Sequence, residues 1–184
     1  MLQGLLLGVL AYFTSKHIRK YEMISYILGV IIAVTLFILG ESHITSEFAM
    51  GFLLVVMFAG VFSSKTTIGK RLRGVRKQYA ILGFIFGLSH GLYLIFANDI
   101  EIIGLLTIIA MVPLTITSFI YVRKKMTNKA WKVLHKVSYV VYAGLFVHML
   151  MIESYQYAIA FGLYIVFKGY HEIKRVRYNK VVVS

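Results

Sequence analysis

The sequence predicts an all-α fold, a polytopic membrane bundle of six core transmembrane helices with a short additional helix at the N-terminus. Three observations predict it. The 184 residues are 59% hydrophobic, with one proline and no cysteine, and the mean hydropathy is +0.80. That much apolar surface cannot be buried in a soluble domain of this size, so lipid is the expected solvent. The apolar residues run through each segment without the in-and-out alternation of a barrel strand, which leaves helices as the way to satisfy the backbone. Finally, all 20 lysines and arginines fall on alternate connections, as multiple crossings require.

The apolar segments are 2–14, 23–40, 48–63, 79–97, 102–122, 137–152 and 155–167. Most approach the ~20 residues needed to cross ~30 Å of hydrocarbon at ~1.5 Å per residue. The first and last are short. The first, MLQGLLLGVLAYFTSK, has neither a basic leader nor a small-residue cleavage site, so it reads as a retained anchor. Pro113 is expected to kink the fifth segment, and Trp131 reads as an interfacial anchor. The resulting division is an anchor helix and loop (1–22), the bundle (23–170) and a basic tail (171–184).

The basic connections hold Lys16, Arg19 and Lys20; Lys65 to Lys77; Arg123 to Lys136; and Lys168 to Lys180. The intervening connections hold Glu41, Glu47, Asp99, Glu101 and Glu153 and no lysine or arginine. The positive-inside rule then predicts a multi-pass plasma-membrane protein with its N-terminus outside and its C-terminus in the cytoplasm. The formal net charge of +13 is on this reading a topology signal, and nucleic acid is not an expected partner. Without cysteine, disulfides, cysteine-ligated clusters, thiolate zinc sites and covalent c-type haem are excluded. No GxGxxG opens a helix, so no nicotinamide or flavin domain is expected within these residues.

Three histidines lie in apolar segments: His90 in FIFGLSHGLYLIF, and His135 and His148 in WKVLHKVSYVVYAGLFVHML. An imidazole in hydrocarbon is costly and usually functional, and neutral imidazole is a common ligand of haem iron. His90 lies 14 residues, about 21 Å, beyond Arg76. His148 lies 13 residues, about 20 Å, beyond His135. Both segments run outward, so His90 and His148 reach similar depth and one haem iron could take both as axial ligands. His135 sits near the cytoplasmic surface, level with Arg76. Thirteen residues at ~100° each put His135 and His148 on different sides of a straight helix, so two sites on one face would need a kink. Gly83, Gly87 and Gly91 recur around His90, which suits either close helix packing or a flat macrocycle. The competing reading of each buried histidine is an interhelical hydrogen bond. His17, His43 and His171 read as solvated loop residues.

The pattern of a basic stretch before a helix, LxH late in it (His90), a Thr117–Ser118 pair closing the next, then a basic loop, WxxLH (His135) and His148 resembles the ferric reductase-like transmembrane domain family. Within it, the pattern is most similar to the haem-binding membrane subunits of bacterial methionine sulfoxide reductase systems. The resemblance covers roughly residues 60–170. It implies two stacked b-haem positions, with His90 and His148 as the outer pair, His135 as one inner ligand and Arg76 where the fourth histidine is expected. It therefore implies one haem b or two, or a flavin or quinone at the cytoplasmic-side position. The family's flavin and nicotinamide domain has no counterpart here. Electrons would come from a cytosolic flavin reductase or membrane quinol and pass to an extracytoplasmic acceptor such as ferric iron, oxygen or a redox protein. The cluster Lys65, Lys70, Arg71, Arg73, Lys124, Lys125 and Lys129 would steer an acidic reductase or flavin phosphate, or simply hold anionic lipid. A haem-free small transporter or assembly factor is the reading from another class. Against it stands the expectation that all seven acidic residues lie in or beside connections.

Overall fold

The computed structural model describes residues 2–63 and 66–183, and side chains at 6, 9, 10, 12–63 and 66–170. Among these residues the fold is entirely helical. The helices are α1 (Leu2–Lys20), α2 (Glu22–Ile38), α3 (Ser42–Phe58), α4 (Thr67–Gly74), α5 (Arg76–Phe96), α6 (Ile102–Ile116), α7 (Ile120–Arg123), α8 (Asn128–Leu134), α9 (Val137–Met151) and α10 (Tyr155–Val183). Lys65 and the side chains of the tail, including His171, lie outside the described residues.

Two runs are long and apolar enough to cross a membrane: α5, and α8 with α9 taken as Asn128–Met151. A third arises if α1 and α2 are counted together, but they meet at 105°. α3 and α6 are apolar but shorter, at 17 and 15 residues. The expected set of six full crossings and one short helix is thus seen in coarser form, as an apolar helical bundle with two or three spans.

Surface composition explains why these helices gather as they do. α2 buries the narrow stripe Tyr26, Gly29 and Ala33 and exposes Ile27, Ile31, Val34 and Ile38, the last 76% exposed. α6 buries Thr107 and Met111 and exposes Leu106, Ile109, Val112 and Ile116 at the opposite helical spacing. Side chains of this kind facing outward in bulk mark a surface made for an apolar surrounding. The inner contacts are close because they use small residues. A Cβ on Gly83 would lie 3.1 Å from Leu53 of α3, and one on Gly144 would lie 2.4 Å from the Thr107 hydroxyl of α6. The principal packing pairs are accordingly α3 with α5 and α6 with α9. Between the basic ends of α2 and α5, Glu22 accepts from Lys77 Nζ at 2.5 Å and from Gln78 Nε2 at 2.8 Å.

Several boundaries differ from the sequence expectation, each for a local reason. α1 runs on to Lys20, so Lys16 and Arg19 are helical rather than in a loop. The stretch after Ser63 forms α4, whose N-cap Thr66 accepts from Gly69 N. The fifth segment stops at Ile116: Thr117 and Ser118 turn their hydroxyls onto the Pro113 and Leu114 carbonyls, both at 2.7 Å, where such bonds compete with the helical ladder. Pro113 therefore sits inside α6 one turn before its end. The segment carrying His135 and His148 is interrupted at His135 and Lys136, between α8 and α9. Finally, α10 carries the helix through the stretch expected as a separate tail.

Candidate functional site

The helices α3, α5, α6 and α9 enclose two cavities, one at each end. The outer cavity, of about 330 Å³, is lined by His90, His148, Glu101, Glu47, Gly87 and Tyr157 among others. Two turns bring its parts together. Gly40, at φ 77°, reverses the chain from α2 into α3, and Asn98, at φ 55°, does so from α5 into α6. Both are residues that tolerate the left-handed region. The first places the Ser42 carbonyl 3.1 Å from His90 Nδ1. The second places Glu101 at the start of α6, where its carboxylate accepts from Ile103 N at 3.3 Å and Gly104 N at 2.5 Å. The same carboxylate lies 2.6 Å from His148 Nδ1.

These contacts set the state of both rings. A carbonyl can only accept, so His90 donates from Nδ1. The Glu101 carboxylate, already the acceptor for two backbone amides, holds His148 in the same way. Each neutral imidazole has one N–H, so the lone pair of each ring is left on Nε2, an assignment made from the hydrogen-bond network. His148 is 8% exposed and lies flat against α6, since a Cβ on Gly104 would be 3.1 Å from its Cε1. At the mouth, Tyr157 donates to Glu47, with His43 Nε2 3.8 Å from the same carboxylate.

The inner cavity, of about 480 Å³, is lined by His135 and Arg76 together with Trp131, Lys132, Lys136 and Tyr142. Arg73 and Lys77 also line it, and no carboxylate does among the described residues. His135 lies at the C-terminus of α8 with Nε2 3.3 Å from Thr117 Oγ1. That hydroxyl spends its proton on the Pro113 carbonyl, so His135 donates from Nε2 and its lone pair is on Nδ1. Its ring stacks on Trp131 at 4.1 Å between centroids, and the Arg123 guanidinium lies 4.9 Å from the indole. Trp131 is therefore held among cavity groups, and its Nε1 is buried without a partner. Arg76 interacts with the Tyr142 hydroxyl.

Leu53 and Met111 line both cavities, so a single layer of side chains separates them. The structure thus brings His90 together with His148, and His135 together with Arg76. The glycines near His90 find protein partners: Gly83 and Gly87 meet Leu53 and Ala49 of α3, and Gly91 meets Ile108 of α6. All three also line the outer cavity. Among the described residues no three His, Cys, Asp or Glu converge to hold a metal ion on protein ligands alone.

Sequence reasoning missed Glu101 and Glu47, which read as connection acids. The signal was present in Glu101-Ile-Ile-Gly104, where an acidic residue precedes an apolar helix by the spacing that caps its first turn. No protein-family model matches the chain, and no curated protein or solved structure matches it either. The family resemblance accordingly rests on its motif residues alone.

Proposed function

We propose that this chain is a membrane b-haem protein of the ferric reductase-like kind, passing electrons from the cytoplasmic side to an extracytoplasmic acceptor. One observation carries the reading. His90 and His148 face one largely apolar cavity, and each is fixed through Nδ1 so that Nε2 is left to bind. Metal-ligating histidines are oriented in this way by a carbonyl or carboxylate on the other ring nitrogen. The cavity also falls within the range of cofactor sites, roughly 300 to 1,000 Å³.

His90 and His148 would hold the haem iron, and the haem, when bound, supplies one-electron redox chemistry. The protein's part is to orient and to exclude water. Ser42 and Glu101 fix the two imidazoles, and Met50, Leu53, Leu145 and Met149 form dry walls. Leu53 and Met111 leave a short apolar partition toward the inner cavity, where His135 and Arg76 sit at the position of a second carrier. That carrier would be a second haem, a flavin or a quinone, fed by a cytosolic flavin reductase or by quinol. The charge pattern supports a multi-pass plasma-membrane bundle of six core crossings and a short first helix, with the C-terminus in the cytoplasm. The exposed apolar faces of α2, α6 and α9 support lipid as its surrounding.

A second reading gains support from Glu47 and Glu101. Both line the outer cavity with two histidines and a tyrosine, which supplies the interior protonatable groups that a haem-free transporter needs. The two readings part in a dithionite-reduced minus air-oxidised absorbance spectrum of the purified protein. Sharp low-spin b-haem bands are expected. A haem-free protein after expression with ample haem would overturn the electron-transfer reading and favour transport.

A further inference from the structure

The inner cavity has a charge imbalance that holding one histidine does not explain. Five cationic side chains line it: Lys77 is paired with Glu22, Arg73 is held by the carbonyls of Gly60 and Phe62, Arg76 meets the Tyr142 hydroxyl, and Lys132 and Lys136 complete the set. None of the ion pairs among the described residues includes Arg76, Lys132 or Lys136. All three are exposed at the rim of the cavity, where their like charge offers an anion a site of complementary sign.

The remaining walls are apolar. Val56, Leu114 and Val141 line the far side. Tyr139, which also lines the cavity, is 54% exposed, and its neighbour Val140 and the nearby Val133 are exposed apolar residues. The cavity therefore opens onto the same apolar surface that the membrane reading assigns to lipid, at the end of the bundle carrying the basic residues. A ligand that fits is anionic at one end, with several acceptor oxygens for guanidinium and ammonium groups, and hydrocarbon at the other.

We propose that the inner cavity binds the phosphate headgroup of an anionic phospholipid. Arg76, Lys132 and Lys136 hold the phosphate, and the acyl chains leave past Tyr139 and Val140. The proposal rests on the membrane part of the reading above and is independent of the outer haem; in the inner cavity the lipid takes the place of the second carrier, so the two are exclusive occupants. Lys132 and Lys136, four residues apart, fall on one face of their segment and so reach one cavity.

The test uses a reporter the chain already carries, for Trp131 is its single tryptophan. The detergent-purified protein, stripped of lipid, is titrated with short-chain phosphatidylglycerol, phosphatidylcholine or inorganic phosphate while tryptophan emission is followed. A saturable change with phosphatidylglycerol alone is expected. The Arg76→Gln, Lys132→Gln, Lys136→Gln variant should bind roughly 100-fold more weakly. Should that variant not fold, Lys132→Gln alone and the wild type in high salt each report a smaller weakening in the same direction. Equal responses to phosphatidylcholine, saturation by inorganic phosphate alone, or undiminished binding in the variants would each overturn the proposal. Repeating the titration on His148→Ala separates it from the haem reading, since lipid binding there should be unchanged.

Discussion

The two cavities are built by the same four helices and differ in almost every chemical respect. At the outer end, two histidines are tied through Nδ1 to a carbonyl and a carboxylate, two carboxylates line the wall, and among the described residues no lysine or arginine does. At the inner end, one histidine is held through Nε2 by a threonine and surrounded by cations. The connections explain the contrast. Each helix end brings the charges of its own loop with it, so the charge asymmetry that reads as topology also decides what each cavity can bind. An acidic loop can orient an imidazole for a metal, whereas a basic loop attracts phosphate.

The comparison breaks most easily at its outer half. Replacing His90 or His148 with alanine should abolish the haem spectrum of the purified protein, and a normal low-spin spectrum in either variant would remove the pairing. The next largest effect belongs to Glu101. Glu101→Ala frees His148 Nδ1 and should weaken haem retention by about 10- to 100-fold, measured by competition with apo-myoglobin. Glu101→Gln, which can still accept from Nδ1, should recover part of the loss. If alanine and glutamine variants both retain haem like the wild type, the carboxylate does not position the ligand.

Smaller effects sharpen the boundary between the cavities. Gly104→Ala would put a methyl 3.1 Å from His148 Cε1, whereas Gly162→Ala on α10 meets nothing within 4 Å. The first should shift the haem spectrum or loosen binding and the second should change neither. Equal behaviour of the two would mean that the His148 ring is not seated against α6. At the inner end, His135→Ala should leave the outer haem largely intact, and complete haem loss from a still-folded protein would show that the two ends are not separate sites. A reporter fused to the C-terminus should be active in the cytoplasm, and external activity would reverse the direction of electron flow.

Much of this contrast was legible before the fold. Hydropathy located the apolar segments, and counting residues along a helix put His90 level with His148 and His135 level with Arg76. Those relations depend only on rise per residue and chain direction. What could not be read was set by local competition for the backbone. Nothing in the apolar run from 102 to 122 says that the Thr117 and Ser118 hydroxyls end α6, or that the helix is interrupted at His135 and Lys136. Glu101 was misjudged for a related reason. A linear reading assigns it to a connection facing water, but the left-handed turn at Asn98 and its capping of α6 fold the carboxylate inward over His148.

The central claim is that His90 and His148, and not His135, hold haem. The most direct measurement is a pyridine haemochrome assay, with reduced-minus-oxidised spectra, on wild type, His148→Ala and His135→Ala purified side by side. The account predicts b-haem in the wild type, its loss in His148→Ala and a retained low-spin spectrum in His135→Ala. Haem undiminished in His148→Ala, or absent from the wild type under ample haem supply, would contradict it.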